Sequence, residues 1–121
     1  MQLPLDISPD VPAEAYEYGT RSSGETHGLV LTKPHVVALI LDLTGYRGDL
    51  PLHQLRLLEP ACGNGVFVVE AARRLLRAAT AQSIAPDQLR ACITAFDIDH
   101  SHVETTRASV KSALLSEGVP P

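Results

Sequence analysis

The 121-residue sequence contains no tryptophan, 4% aromatic residues and two cysteines. Two cysteines are too few for the disulfide scaffold of a small secreted domain, and neither belongs to a Cys-x-x-Cys pair, so we expect free thiols in a reducing compartment. No apolar run approaches the ~18 residues that a membrane span requires. The N-terminus also lacks a basic segment followed by an apolar one. These absences predict a cytoplasmic protein that does not enter a membrane.

An excess of positive charge is absent as well. Lysine and arginine number 10 against 14 acidic residues, which gives a formal net charge of -4. The chain therefore has no overall attraction for phosphate backbones or anionic membranes. If DNA is the substrate, we expect a region outside this chain to provide most of the binding energy. The 45% hydrophobic content is typical of a soluble globular α/β or α protein.

The first part of the chain differs in composition from the rest. Residues 1–27 are rich in proline, glycine, serine and glutamate, which predicts an arm or linker. Residues 28–118 are predicted to form the domain. They begin with "GLVLTKPHVVALILDLTGY", in which Thr32 is the predicted helix cap, Pro34 suits the first turn and Gly45 ends the helix. This helix is apolar nearly all round and is expected to be covered on more than one side.

The rest of the domain alternates between strands and helices. "LRLLEP" is predicted to be a buried parallel strand that stops at Pro60, and a helix begins after Gly65. "ACITAFDID" is predicted to be a second strand, and a helix capped by Asp99 or Ser101 follows and stops at Gly118. One face of that last helix is predicted to consist of Val103, Thr106, Val110 and Leu114. The order helix, strand, helix, strand, helix predicts the beginning of a parallel α/β sheet.

A glycine turn, "EPACGNG", separates the first strand from its helix. Such a turn allows a ligand to approach main-chain N–H groups closely, as several nucleotide-binding families require. A Walker loop needs a lysine and a serine or threonine after its second glycine, where this chain has Val66 and Phe67. A dinucleotide site needs a third glycine where Val68 stands, and an acid about 20 residues after the turn, whereas Asp97 comes much later.

S-adenosylmethionine is the remaining candidate ligand. Proteins that bind it place an acid at the first strand–turn junction, where Glu59 stands here. A second acid, at the end of the next strand, accepts hydrogen bonds from both ribose hydroxyls, and Asp97 has that position. The turn chemistry therefore favours S-adenosylmethionine over phosphate or dinucleotide ligands.

Three segments resemble motifs of the N6-adenine DNA methyltransferases, in the order in which that family has them. "LEPACGNGVFVVEA" resembles the first motif, "HGLVLTKPHVVALILDLTGY" the motif that precedes it, and "AFDIDHSHVETTR" the second motif. The resemblance implies the N-terminal, cofactor-binding portion of a Rossmann-like, S-adenosylmethionine-dependent methyltransferase fold with an incomplete parallel sheet. It also implies an enzyme of the restriction-modification type that methylates adenine N6 in DNA.

The resemblance assigns cofactor-binding roles residue by residue. Glu59 matches the acid of the first motif, Asp97 matches the ribose-binding acid, and Ile98 stands where a family residue packs on the adenine ring. The backbone of the glycine turn would border the methionine moiety, and Phe67 is expected to pack behind the turn. The complete set of implied cofactor-binding residues is Thr32, Pro34, Glu59, Pro60, Ala61, Cys62, Gly63, Gly65, Asp97 and Ile98.

The chain departs from the family pattern in one respect. The family's fourth motif, Asn/Asp/Ser-Pro-Pro-Tyr/Phe, holds the flipped target base, and the "GVPP" at the C-terminus lacks its polar and aromatic positions. We therefore assign no catalytic residue and expect the chain alone to be inactive. Two other hypotheses stay open: a split subunit that gives its cofactor site to a partner chain with the remaining motifs, and a degenerate interaction protein that binds no ligand.

Some polar residues have simpler explanations than a catalytic site. Cys62 is predicted to be a small turn residue, because no motif places a histidine and an acid to activate it. No metal is predicted, since His100 and His102, two residues apart on a helix, point away from each other. A solvated outer helix face explains three basic residues better than a phosphate-binding patch does: Arg73, Arg74 and Arg77.

Overall fold

The computed structural model describes residues 32–118. Its helices and strands, in chain order, are α1 Pro34–Leu43, β1 Leu57–Glu59, α2 Val66–Ala81, β2 Ile93–Ala95 and α3 His100–Ser116. A short 3-10 helix precedes each strand, at Leu52–Gln54 and at Pro86–Leu89. The predicted order of elements is confirmed. The predicted arm, residues 1–27, and the first residues of the predicted domain lie outside the described part of the chain.

The two strands form a parallel sheet. Leu57 pairs with Ile93 and Glu59 with Ala95, and α2 makes the crossover between the strands. This architecture is α/β and is compatible with part of a Rossmann-like fold. The prediction that the first strand is buried is only half right: Leu57 packs against the core, whereas Leu58 is 62% exposed. Alternate residues of a strand face opposite sides of a sheet, and the side of Leu58 has no cover from the described residues.

The beginning of α1 differs by one residue from the prediction. Pro34 is the first helical residue, as expected, but the N-cap is Lys33 and not Thr32. Proline lacks an N–H and its fixed φ suits the first helical position, so the residue directly before it becomes the cap. The predicted end is confirmed, because Gly45 has a φ of +78° and the Tyr46 N–H bonds back to the Leu41 carbonyl at 2.8 Å.

The core lies between α1, α2 and the strands. Its buried members are Val37, Leu41, Tyr46, Leu52, Ala71, Leu75, Ala78 and Cys92. The predicted cover of α1 on more than one side is not found among the described residues, since Leu39 and Leu43 are exposed. Both cysteines are buried free thiols. None of the helices in residues 32–118 has the length and apolar character needed to cross a membrane.

Arg74 connects α2 to α1. Its side chain is 12% exposed, and its guanidinium bonds to Asp42 at 2.6 Å, to Glu70 at 3.0 Å and to the carbonyl of Tyr46 at 3.0 Å. The prediction that this residue belongs to a solvated face is therefore wrong. The other two arginines of that predicted face lie beside Glu117 at the end of α3. The Arg74–Glu70 pair joins residues four apart on α2. Sequence periodicity could not predict the contacts with Asp42, Tyr46 and Glu117, because they join residues from separate elements.

The two ends of α3 agree with the sequence. Asp99 is the N-cap, and its carboxylate accepts a hydrogen bond from the Ser101 main-chain N–H at 2.8 Å. Gly118, with a φ of +87°, follows the end of the helix. Capping fixes the residue at which α3 begins, and α3 packs along α2. The start of α3 therefore lies next to the carboxyl end of β2.

Candidate functional site

The carboxyl ends of β1 and β2 meet at one edge of the sheet. Glu59 is the last residue of β1, and Asp97 follows β2 by two residues. Main-chain hydrogen bonds continue past the strands: Phe96 N–H donates to the Glu59 carbonyl, and Cys62 N–H donates to the Phe96 carbonyl, both at 2.8 Å. The parallel pairing thus extends into the glycine turn and fixes the turn beside the end of β2.

The turn itself depends on two glycines. Gly63 has a φ of +51° and Gly65 a φ of +86°, values that residues with a Cβ rarely adopt. The Gly65 N–H closes the turn by donating to the Cys62 carbonyl at 2.8 Å, and Gly65 is also the N-cap of α2. The turn therefore brings the amino end of α2, with its partial positive charge, to the same edge as the two acids.

Glu59 stabilises the start of the turn with its side chain. One of its carboxylate oxygens, Oε1, accepts a hydrogen bond from the Ala61 main-chain N–H at 3.0 Å. The residue is half-buried. Its second carboxylate oxygen is the group at this junction that can accept a hydrogen bond from a ligand.

Asp97 connects the end of β2 to the turn. Its Oδ2 accepts from the Gly63 N–H at 2.8 Å, and its Oδ1 accepts from the Asp99 N–H at 2.9 Å and lies 3.2 Å from His102 Nδ1. The main-chain N–H groups of Asp99 and then Gly63, together with His102, lower the pKa of this carboxyl below its usual value. The side chain is 9% exposed. Sequence reasoning placed Asp97 at this edge but gave no signal for its bond to Gly63.

The other predicted residues of the turn region differ in exposure. Ile98, directly after Asp97, is 89% exposed. Pro60 and Ala61 are exposed, and Cys62 is buried. The edge therefore offers both an apolar side chain and carboxylates to a ligand.

The amino end of α1 also lies beside the turn. Pro34 lines a cavity of about 280 Å³ together with Asn64 and Val66. Thr32 is half-buried, two residues before the helix begins. Phe67 is partly buried and packs against the core, which agrees with its expected place behind the turn. The structure thus brings the segment of the preceding motif next to the segment of the first motif.

One residue at the turn was not singled out by sequence reasoning. Thr106 of α3, assigned above to an apolar helix face, is buried, and its hydroxyl lies 3.1 Å from the Gly63 carbonyl. A threonine on such a face looks like an ordinary core residue, so the sequence carried no signal for this contact. No group of three or more histidine, cysteine, aspartate or glutamate side chains that could hold a metal occurs within residues 32–118.

The chain is similar to curated methyltransferases along most of its length. It is 38% identical over 112 residues to the Type II methyltransferase M.PaeR7I of Pseudomonas aeruginosa, which covers 90% of this chain and 20% of the relative. It is 44% identical over 70 residues to M.BstVI of Geobacillus stearothermophilus, covering 58% and 12%. It is 35% identical over 99 residues to M.XhoI of Xanthomonas vasicola, covering 78% and 18%.

The chain thus spans a fifth or less of the length of these three relatives. No protein-family profile matches it, and no solved structure matches it. The family assignment rests on these relatives. All three are described as Type II methyltransferases, and two of them align with most of the chain. The chain belongs to the Type II methyltransferases of restriction-modification systems.

Proposed function

We propose that this chain provides the S-adenosylmethionine site of a DNA methyltransferase that acts on adenine N6. The observation that carries the proposal is the 2.8 Å bond between the Gly63 N–H and the Asp97 carboxylate. This bond joins the first motif to the second at the carboxyl ends of two parallel strands. Ligands of open α/β sheets bind in that position, outside the carboxyl ends of the strands.

Asp97 has the acceptor capacity that a ribose needs. A carboxylate offers about four lone-pair positions. Gly63, Asp99 and His102 occupy three of those of Asp97, which leaves one position open. In our proposal one ribose hydroxyl donates to the open position and the other replaces His102. The two main-chain bonds stay in place, so the turn keeps its shape when the cofactor binds.

The neighbouring residues complete the proposed site. Ile98 is exposed beside Asp97, where an apolar side chain can pack on the adenine ring of the cofactor. Glu59 offers its second carboxylate oxygen to the positively charged amino group of the methionine moiety. The main chain of residues 61–65 borders that moiety, and the cofactor supplies the methyl group for transfer.

Transfer to DNA needs groups that this sequence does not contain. The fourth motif, which would hold a flipped adenine, is absent from the printed sequence, and the net charge of -4 disfavours DNA binding. We therefore propose that the target base is held by another part of the enzyme or by a partner chain. The role of this chain is to orient the methyl donor toward that base.

A chimeric enzyme tests the proposed role. The segment of M.PaeR7I that aligns with this chain would be replaced by the chain, and methylation of DNA measured by mass spectrometry of its nucleosides. We expect methylated DNA from the chimera and strongly reduced methylation after Asp97→Asn. Asp87→Asn, an exposed carboxylate before β2, is the matched control and should methylate like the unmodified chimera. A folded chimera that never methylates DNA would contradict the role.

Adenine specificity needs a separate measurement. The chain would be co-expressed with a polypeptide from its own genome that carries the fourth motif, and host DNA digested to nucleosides. The proposal predicts N6-methyladenine. N4-methylcytosine as the only product would refute it.

A further inference from the structure

Thr106 is a polar side chain buried at 5% exposure on α3, directly against the glycine turn. Its hydroxyl donates a hydrogen bond to the Gly63 carbonyl at 3.1 Å and lies 3.5 Å from the sulfur of Cys62. Gly63 is itself buried. Its carbonyl would therefore lose a partner in a dry environment if the hydroxyl were removed.

The Gly63 residue is held by side chains on both of its polar main-chain groups. Asp97 accepts from its N–H, and Thr106 donates to its carbonyl. The first side chain comes from the end of β2 and the second from the second turn of α3. Two elements that follow the turn in the chain thus fix the orientation of the peptide groups on either side of Gly63.

Thr106 also sets the space available at Gly65. A Cβ added to Gly65 would lie 2.9 Å from the Thr106 hydroxyl oxygen, 3.1 Å from its Cα and 3.1 Å from its methyl carbon. The helix backbone at Thr106 is therefore in direct contact with the turn. A simple apolar core residue would fill this space equally well, but it would not bond to Gly63.

We propose that Thr106 is a positioning residue that fixes the glycine turn in the shape required for S-adenosylmethionine. It acts through Gly63 and does not touch the cofactor itself. The inference rests on the proposed function for the identity of the ligand. Its effect on the shape of the turn can be measured without any ligand.

The test compares two substitutions at Thr106 with one at its neighbour. Thr106→Val keeps the shape and removes the hydroxyl, whereas Thr106→Ser keeps the hydroxyl. Thr105→Val makes the same chemical change at an exposed position of the same helix and is the matched control. Two quantities are measured on the full chain: hydrogen exchange of the main-chain amides by NMR, and S-adenosylmethionine affinity by calorimetry.

We expect Thr106→Val to accelerate amide exchange in residues 63–65 by about tenfold and to weaken cofactor binding by a similar factor, because one buried hydrogen bond is lost. Exchange in the middle of α2 should not change. Thr106→Ser and Thr105→Val should resemble the wild type in both measurements. The serine variant keeps the test decisive if the valine variant does not fold.

Two results would overturn the inference. The first is unchanged exchange in the turn of a folded Thr106→Val variant, and the second is accelerated exchange in Thr106→Ser despite its hydroxyl. A different result separates this inference from the proposed function. Amide exchange in the turn could respond as expected although the wild type binds no S-adenosylmethionine. The proposed function and the cofactor role of Thr106 would then be wrong, whereas the stabilisation of the turn by Thr106 would be confirmed.

Discussion

At the end of β2, the Asp97 carboxylate accepts hydrogen bonds from the Gly63 and Asp99 main-chain N–H groups and lies beside His102. One side chain therefore joins the second strand, the glycine turn and the start of α3. All of these contacts favour the ionised carboxylate. The same residue is the proposed acceptor of the ribose hydroxyls, so folding and binding both depend on its charge.

The lowered pKa of Asp97 makes the free energy of unfolding depend on pH. Its pKa is lowered from 3.8 in the folded chain, first by the Asp99 N–H, so the unfolded chain takes up a proton more readily. The resulting stabilisation is present above the unfolded pKa and is lost as the pH falls through the folded one. Urea denaturation between about pH 5 and about pH 2 should therefore show a shallower decline for Asp97→Asn than for the wild type. Equal slopes would contradict the contacts described for Asp97.

At the scale of single elements, the glycine turn provides a test with an internal control. Gly65 and Gly45 both have left-handed φ values, +86° and +78°, but a Cβ would collide with Thr106 only at Gly65 and meets nothing within 4 Å at Gly45. We expect Gly45→Ala to destabilise the fold by about 1 kcal/mol from backbone strain alone. Gly65→Ala should add overpacking, for a total of about 2–4 kcal/mol. Equal free energies of unfolding for the two variants would show that α3 does not contact the turn.

The contact between α1 and α2 provides a second test at this scale. Arg74 is nearly buried and bonds to Asp42 and Glu70, whereas Arg77 on the same helix is mostly exposed. Arg74→Met should lower the free energy of unfolding by about 1–3 kcal/mol, because it leaves the part-buried carbonyls of Tyr46 and Ala38 without this donor. Arg77→Met should change it by no more than ~0.5 kcal/mol. Chemical denaturation of both variants measures the difference, and a reversed order would mean that Arg74 is solvated.

The ends of the elements were largely predictable from sequence. Gly45, Asp99 and Gly118 act through their own backbone and nearest neighbours, so their local chemistry suffices. The exposure of Leu58 and the contacts of Arg74 with Asp42 and Tyr46 were not predictable. Both depend on which other elements pack nearby, and hydrophobic periodicity contains no information about that.

The candidate site, too, was predictable from the sequence only in part. Parallel strands bring their carboxyl ends together, so the proximity of Glu59 and Asp97 followed from the predicted order of elements. The bonds from Asp97 and Thr106 to Gly63 did not follow from it. The first bond requires the turn to lie against the end of β2, and the second requires α3 to pack on the turn. A pattern of residue types along the chain does not predict either placement.

At the scale of the whole molecule, the described residues form a small sheet with much uncovered apolar surface. The sheet has two strands, and Leu58, Phe96 and Ile98 are exposed on or beside them. A groove of about 480 Å³ lies along α3 and is lined by Cys62, Ala95 and Leu114 among others. This surface is consistent with our proposal that the remaining methyltransferase elements come from elsewhere in the enzyme or from a partner.

Binding of S-adenosylmethionine to the pure chain, measured by isothermal titration calorimetry, tests the central claim most directly. We predict saturable binding at one site per chain, at least about tenfold weaker binding for Asp97→Asn and unchanged binding for Asp87→Asn. Circular dichroism of each sample establishes that the chain is folded during the titration. A folded wild-type chain that releases no heat of binding, or an Asp97→Asn variant that binds as tightly as the wild type, would contradict the proposed cofactor site.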